Sequence, residues 1–570
     1  MPDDEVMPAD TLAEDDDVRS APVGEVVWAD LPADEETLFG ADGHPRRWAI
    51  LSVLMVSLVI VVLDNTVLNI ALPTIQRDLG ASQSQLLWSV DSYILAFAAL
   101  LFTWGTLGDR FGRRLVLVLG LAVFAVGSAL SALATSPAQL IAFRTIMGVG
   151  GAAVMPVTLA IITVVFPRRE RGRAIGAWAG AVGGAMALGP VIGGLLLENP
   201  QWFRWLIGND WGSVFLINVP VIVLGIIGVL RVVPETRDPH PRGLDVVGPL
   251  FSVCGLTALV YGIVHASDTK GWGDVSVLTP IGAGLAVLAL FVLYERRSVH
   301  QSFDVTLFAH RGFSVSIASI SLTFFALSGV MFTLPFYLQV LRGMSTLSAG
   351  LCFLPFAVGQ LISAPRSASM VERFGTRKVM GVGTLGMVVI LGAFSCLTRS
   401  APLWVLLVEF FLFGLFMGNV IAPGSTVIQN SLPLDRTGAG SAVQNTVRQV
   451  FGALGVAIIG TVLSNQYADR LATTLTALPA QFPQAGKDAL SSSVAAVPAV
   501  LTQASAAGTP AALVDRIQDG AFTAYLDATH VTTALSGLIV LGAAAVVFVL
   551  LPRHIGRRTR NASHPTSAQY

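Results

Sequence analysis

The sequence predicts an all-α polytopic membrane protein with fourteen transmembrane helices, and three observations predict it. Apolar runs of about 20 residues recur along the 570-residue chain, the length that a bilayer core of about 30 Å requires. Charged residues make up only 12% of the chain and hydrophobic residues 53%, where a globular protein carries about 25% charged residues. The charges gather in short connections between the runs. One of them is Gly105-Thr-Leu-Gly-Asp-Arg-Phe-Gly-Arg-Arg114, where Gly105, Gly108, Asp109, Arg110, Gly112, Arg113 and Arg114 form one turn between two membrane-length segments.

Taken in order, the first six spans are expected at 48–72, 86–105, 115–134, 139–163, 174–197 and 213–231. A pair follows at 246–265 and 276–294, and the last six at 313–339, 347–366, 378–397, 403–428, 438–464 and 530–551. Lipid offers the backbone no hydrogen-bond partners, so each span must be helical or sit within a helical bundle. One set of connections is rich in Arg, holding Arg110, Arg113, Arg114, Arg168, Arg169, Arg171, Arg173, Arg231, Arg237, Arg242, Arg296, Arg297, Arg373, Arg377 and Arg436. The opposite set is poor in basic residues, which predicts that the rich set and both termini are cytoplasmic.

Residues 1–46 are expected as a disordered, acidic cytoplasmic tail. Within residues 1–42, Asp3, Asp4, Glu5, Asp15, Asp16, Asp17, Asp34, Glu35 and Glu36 face a single base, Arg19, with no apolar periodicity. The stretch lacks the basic n-region and short apolar core of a secretory signal. A six-helix half over 47–235, an inserted two-helix segment over 243–298 and a second six-helix half over 301–552 follow. The second half contains a long external loop at 465–529, of which 476–520 has room for short helices, and 553–570 is a second cytoplasmic tail. Cys254, Cys352 and Cys396 all fall in apolar runs, which argues against disulfides and against a metal site.

The halves are repeats. Val371-Glu-Arg-Phe-Gly-Thr-Arg377 matches Gly108-Asp-Arg-Phe-Gly-Arg-Arg114 at five of seven positions by type. Gly172 and Gly189 have counterparts in Gly438 and Gly455, both displaced by 266 residues, and Pro156 in Pro423, displaced by 267. The inserted pair accounts for the excess separation, and the halves are expected to be related by an axis along the membrane normal.

A few polar residues stand inside apolar runs. Asp64 lies well within the first span, where a carboxylate costs about 2.5–3.5 kcal/mol on insertion scales. Either it faces a cavity and takes up and loses a proton, or it is a structural carboxylate bonded to a neighbouring helix. Asp91, about two turns into the second span, carries the same two readings. Arg144 in the fourth span keeps its charge at all relevant pH, and its approach to Asp64 would favour proton release. Glu409 in the twelfth span matches Arg144 when the halves are superposed. It is either a cavity carboxylate for a cationic substrate or a second proton, or an interfacial residue. Arg448 in the thirteenth span reads as a buried structural residue ahead of a substrate-binding one.

In the fifth span, Gly184-Ala-Met-Ala-Leu-Gly-Pro-Val-Ile-Gly-Gly194 sets Gly184, Gly189, Gly193 and Gly194 around Pro190. Small residues there, with Gly180, let helices approach closely, and Pro190 permits a bend. The second half has Val456 where Pro would stand. Tyr93, Trp178, Phe324, Phe325, Tyr337, Phe413 and Phe416 are aromatic candidates for a cavity wall. There is no nucleophile constellation, metal cluster or phosphate loop of the Gly-x4-Gly-Lys-Ser/Thr type, so neither an enzyme nor a nucleic-acid partner is expected.

Together these motifs resemble the fourteen-helix drug:proton antiporters of the EmrB/QacA type within the major facilitator superfamily. The resemblance rests on Leu63–Pro73, the turn at 105–114, Arg144–Pro156, Gly184–Gly194 and Phe215-Leu-Ile-Asn-Val-Pro220. It implies a major facilitator fold of six, two and six helices. It implies proton-coupled, alternating-access efflux of hydrophobic or cationic drugs across the plasma membrane. No cofactor beyond the proton gradient is expected, and the chain is expected to act as a monomer with protons, lipid and an amphiphilic small molecule as partners. By the same resemblance Asp64, Asp91 and Arg144 are coupling candidates and Gly184–Gly194 marks an exporter. The turn at 105–114 would be a gate latch, with Asp109 pairing near a helix N-terminus and Arg113 with an acid. An exporter of an endogenous metabolite or lipid, or a membrane sensor that does not transport, are the alternatives.

Overall fold

The computed structural model describes residues 42–238, 245, 247–269, 271–298, 305–432, 437–479 and 482–551. The expected tail at 553–570, all but the last residues of the 1–46 segment, and Arg242 and Arg436 lie outside the described residues.

Fourteen helices are long and apolar enough to cross a membrane. They are α1 (Arg47–Leu79), α2 (Gln83–Phe111), α3 (Arg113–Ala132), α4 (Pro137–Val165), α5 (Arg169–Glu198), α6 (Ser213–Val232) and α7 (Val247–Asp268). The remainder are α8 (Val275–Arg297), α9 (Arg311–Leu341), α10 (Thr346–Phe374), α11 (Thr376–Phe394), α12 (Leu403–Asn430), α13 (Gly440–Thr476) and α14 (Ala511–Leu550). Each overlaps one predicted span, and the spans expected at 115–134, 246–265, 378–397, 438–464 and 530–551 overrun their helices by one to three residues. Local sequence sets several of their ends. Ser82 and Gln85 form a reciprocal capping box at the start of α2, and Ser136 caps α4 with Pro137 in its first turn, where a missing N–H costs nothing.

The packing has a two-fold logic. In the first half α1 packs on α5 and α6, α2 on α4, and α3 on α4 and α6; in the second half the helices numbered eight higher repeat every one of these pairings. The halves meet along α2–α13 and α5–α10, which exchange under the same relation. The repeated turns agree in backbone: Gly112 has φ 118° and Gly375 φ 85°, conformations that a side chain would strain.

The inserted helices pack on each other through glycine contacts, Gly255 and Gly284 against Leu288 and Leu259. Helix α7 then covers the α2–α13 seam. Trp88 lies 6.5 Å from Tyr261 between ring centroids, and Thr461 and Asn465 donate to the Ile263 and Ala266 carbonyls at 3.2 and 3.1 Å.

The expected external loop at 465–529 is mostly helix. Helix α13 runs on to Thr476, two short helices occupy Gln484–Ser492 and Val497–Ala506, and α14 starts at Ala511 rather than near 530. Apolarity marks only the part of a helix that lipid surrounds. The polar extensions are fastened by other means: Arg470 to Asp527 at 2.7 Å, Arg399 to Asp519 at 3.0 Å and Tyr525 to the Thr333 carbonyl at 2.8 Å.

The two ends of the bundle differ. At the end opposite the 105–114 turn the halves are clamped. Gln339 donates to the Ile70 carbonyl at 2.8 Å, Thr346 to the Gly194 carbonyl at 3.0 Å, and the Leu347 amide to Glu198 at 3.1 Å. Ser493 and Gln76 add a 2.6 Å contact between the short helices and α1. Towards the Arg-rich end the halves diverge, and a Cβ placed at Gly172, Gly176, Gly180, Gly183 or Gly184 of α5 would meet nothing within 4 Å.

Candidate functional site

Between the halves, about midway along α1, lies a cavity with about 840 Å³ of empty space, solvent-continuous volume included. Asn65, Thr66 and Asn69 of α1, Tyr93 and Phe97 of α2 and Met186 of α5 line it from the first half. Phe324, Ser328 and Met331 of α9 face them, with Arg448, Gln449 and Gly452 of α13. Of the aromatic candidates, Tyr93 and Phe324 are in the wall. Phe413 packs against Phe356 and edge-on to Phe394 inside the second half, and the Trp178 indole donates to Thr158.

Asp64 does not face this cavity. Its neighbour Asn65 does, and about 100° of helix rotation turns Asp64 into the interior of the first half. There Arg144 Nη1 meets Asp64 Oδ2 at 2.5 Å, with the two side chains 0% and 1% exposed. Asn218 of α6 donates to the other carboxylate oxygen at 2.8 Å, and the same amide reaches Ser128 Oγ at 2.9 Å. Arg144 Nε donates to the Ser89 carbonyl at 3.1 Å, and the guanidinium lies 4.4 Å from the centre of the Tyr93 ring. A buried charge needs partners; α1, α2, α4 and α6 supply them, and of the pair's atoms only Arg144 Nη2 is left without a hydrogen-bond partner among the described residues. Tyr93 therefore has the cavity on one side and the ion pair on the other. The expectation that Asp64 faces a cavity is corrected by one side-chain layer.

Asp91 is fully buried, and neither carboxylate oxygen has a hydrogen-bond partner among the described residues. Helical rotation places it between Leu87, whose side chain lies against Gly460 of α13, and Trp88, which meets Tyr261 of α7. It thus points to the junction of α2, α7 and α13, and is absent from the cavity wall. Glu409 is buried too, on the α12 face that carries Leu406, Phe410 and Phe413. The reading of Glu409 as a cavity carboxylate is corrected: Phe410 and Phe413 pack within the second half against Phe353, Phe356 and Phe394, and their helix face turns away from the cavity. Arg448 departs from expectation in the other direction. It lines the cavity, with its guanidinium 4.8 Å from the centre of the Phe324 ring.

At the turn, Arg113 donates to Asp109 Oδ1 through Nε and Nη2 at 3.0 and 2.8 Å. Glu235, after α6, accepts from the Arg114 backbone amide at 3.1 Å, and the Arg113 amide donates to the Thr236 carbonyl at 2.9 Å. The acid at a helix N-terminus is therefore Glu235 and not Asp109, whose partner is the Arg four residues on. Gly108 backs onto Val157 of α4 and Gly105 onto Pro156, while Arg110 lies over Phe111. The second copy keeps the backbone and loses the charge pairing: Glu372 has no ion-pair partner among the described residues.

The glycine motif divides by height. Gly189 and Gly193 lie against Thr66, Val67 and Ile70 of α1, and Gly194 against the Thr346 and Leu347 backbone of α10. The Pro190 carbonyl rests on Gly350. Gly180 and Gly184, expected to permit close packing, face open space because they lie where the halves have separated.

Sequence reasoning missed Asn218. It stands in the quoted Phe215–Pro220 stretch, and the available signal was a lone amide in an apolar run.

The Major Facilitator Superfamily profile matches residues 54–456. The chain is 34% identical over 513 residues to the multidrug efflux pump LfrA of Mycolicibacterium smegmatis, covering 89% of this chain and 97% of that one. It is 33% identical over 425 residues to the tetracenomycin C resistance and export protein of Streptomyces glaucescens, covering 74% and 77%. A bacterial homologue of the human lysosomal transporter Spinster, in an inward-facing and unoccupied conformation, shares the fold with a TM-score of 0.60. Its sequence identity is 18%, over 88% of this chain and 98% of that one.

Proposed function

The chain belongs to the major facilitator superfamily, and from that premise we propose that it is a proton-coupled exporter of hydrophobic, amphiphilic drugs and antibiotics in the plasma membrane. The observation that carries this reading is a central cavity clamped at one end by bonds between the halves and open at the other. A buried carboxylate–guanidinium pair stands behind the cavity wall. The relatives named for multidrug efflux and for antibiotic resistance and export support the substrate class.

The Arg-rich end is cytoplasmic on the charge asymmetry of the connections, so both ends of the described chain are inside and the cavity opens to the cytoplasm. The paired Asp64 is then a carboxylate that has given up its proton inside, and the cavity is ready for substrate. Reprotonation from outside, after the halves have rocked about the cavity, would release Arg144 and reset the transporter. Inward flow of one proton down 100 mV supplies about 2.3 kcal/mol, enough for roughly a fifty-fold substrate gradient. One chain holds a complete cavity, which supports action as a monomer.

Proton-driven uptake of a compound panel into inverted vesicles tests the reading. Asp64→Asn should bind compounds and fail to concentrate them. Concentration equal to the parent's would remove Asp64 from the coupling step. Export of an endogenous product would use the same machinery, and accumulation of a native compound in a strain lacking the gene would identify that case.

A further inference from the structure

The two membrane-embedded arginines are treated differently by the fold. Arg144 is met by a carboxylate, a backbone carbonyl and an aromatic face, and only its Nη2 is without a hydrogen bond among the described residues. Arg448 has a ring contact with Phe324 and nothing else: it forms no ion pair with any described residue, and its Nε is buried without a hydrogen-bond partner. It is also the one charged side chain among the described residues that line the central cavity. The other polar groups of the wall, from Asn65, Thr66, Asn69, Ser328 and Gln449, are neutral. Asp64 is committed to Arg144, Asp91 points to the α7 seam, and Glu409 is inside the second half.

A cation in a low-dielectric wall is costly unless a counter-charge completes it. The planar guanidinium fork matches carboxylate, sulfonate and phenolate oxygens. The apolar body of such a ligand finds Phe97, Phe324 and the adaptable side chains of Met155, Met186 and Met331. A permanent cation in the same place would face a like charge. We propose that Arg448 is the specificity-determining residue of the cavity, which takes anionic aromatic amphiphiles in preference to permanent cations. The inference rests on the exporter reading for its physiological meaning, but the cavity's charge preference can be measured without transport.

The test is binding by the full-length protein in lipid nanodiscs, read against empty discs. The probes are 1-anilinonaphthalene-8-sulfonate and its uncharged parent N-phenyl-1-naphthylamine, which differ by one sulfonate, with ethidium as the cation. The sulfonate should bind the parent at least about tenfold more tightly than it binds Arg448→Gln, the value of a charge-assisted hydrogen bond. The neutral probe should change by less than about threefold. Arg448→Lys should keep the preference, and Arg448→Glu should reverse it in favour of ethidium. Matching melting temperatures for Arg448→Gln and the parent exclude a folding effect. Equal sulfonate affinity in the parent and Arg448→Gln, or tighter ethidium binding by the parent, overturns the proposal. Discrimination in nanodiscs without gradient-driven accumulation in vesicles leaves the charge assignment standing and overturns the exporter reading instead.

Discussion

Asn218 Nδ2 bridges Asp64 Oδ1 at 2.8 Å and Ser128 Oγ at 2.9 Å, and Ser128 in turn donates to the Phe215 carbonyl at 2.8 Å. This chain ties α3 and α6 to the Asp64 carboxylate of α1. It holds Asp64 in the rotamer that presents its second oxygen to Arg144.

Asn218 is therefore a positioning residue. A hydrogen bond to a charged group contributes about 1.5–3 kcal/mol. Asn218→Leu should lower proton-driven transport by about tenfold or more and displace its pH profile, while substrate affinity in nanodiscs stays within about threefold. An unchanged pH profile would reduce Asn218 to a packing residue.

The Asp64–Arg144 pair makes a stability prediction separate from transport. Breaking a buried pair by removing one partner costs about 3–5 kcal/mol, because a charge is left without compensation. Asp64→Leu and Arg144→Met should each lower the thermal midpoint of the purified protein. The double variant should recover much of that loss while remaining unable to couple. Additive losses in the double variant would show that the pair is not the source of the effect.

The clamp at the closed end depends on backbone approach. A side chain at Gly194 would collide with the Thr346 backbone, and one at Gly350 with the Pro190 carbonyl. Gly194→Leu should depopulate the state seen here. The readout is a Gly180→Cys reporter at the open face of α5, with Cys254, Cys352 and Cys396 replaced. Its labelling by a water-soluble maleimide should slow several-fold in the Gly194→Leu background. Labelling at the parent rate would mean that the closed end tolerates the wider contact.

Asp109→Asn weakens both bonds from Arg113 without changing volume, and Glu235→Gln removes the charge that caps α3 at Arg114. Each should slow turnover with little change in substrate affinity. Loss of affinity in parallel with turnover would contradict a role confined to switching.

The sequence by itself determined the class of the fold, its span count and its repeat. These follow from local requirements: lipid demands apolar helices with internally satisfied backbones, and Gly112 and Gly375 mark the same turn, at a positive φ that glycine adopts freely, in both halves. It also singled out Asp64, Arg144 and the 105–114 turn, since charge inside an apolar run is visible without coordinates. Tertiary structure alone decided which way each side chain faces. Asp64 and Asn65 are adjacent, yet one looks into the first half and the other into the cavity, a matter of helix rotation set by neighbours far away in sequence. Asn218 is 154 residues from its carboxylate, and Glu235 is 121 from the amide it caps. Arg448 and Arg144 look alike in sequence. The difference is that packing brings a carboxylate to one and turns the other towards the cavity.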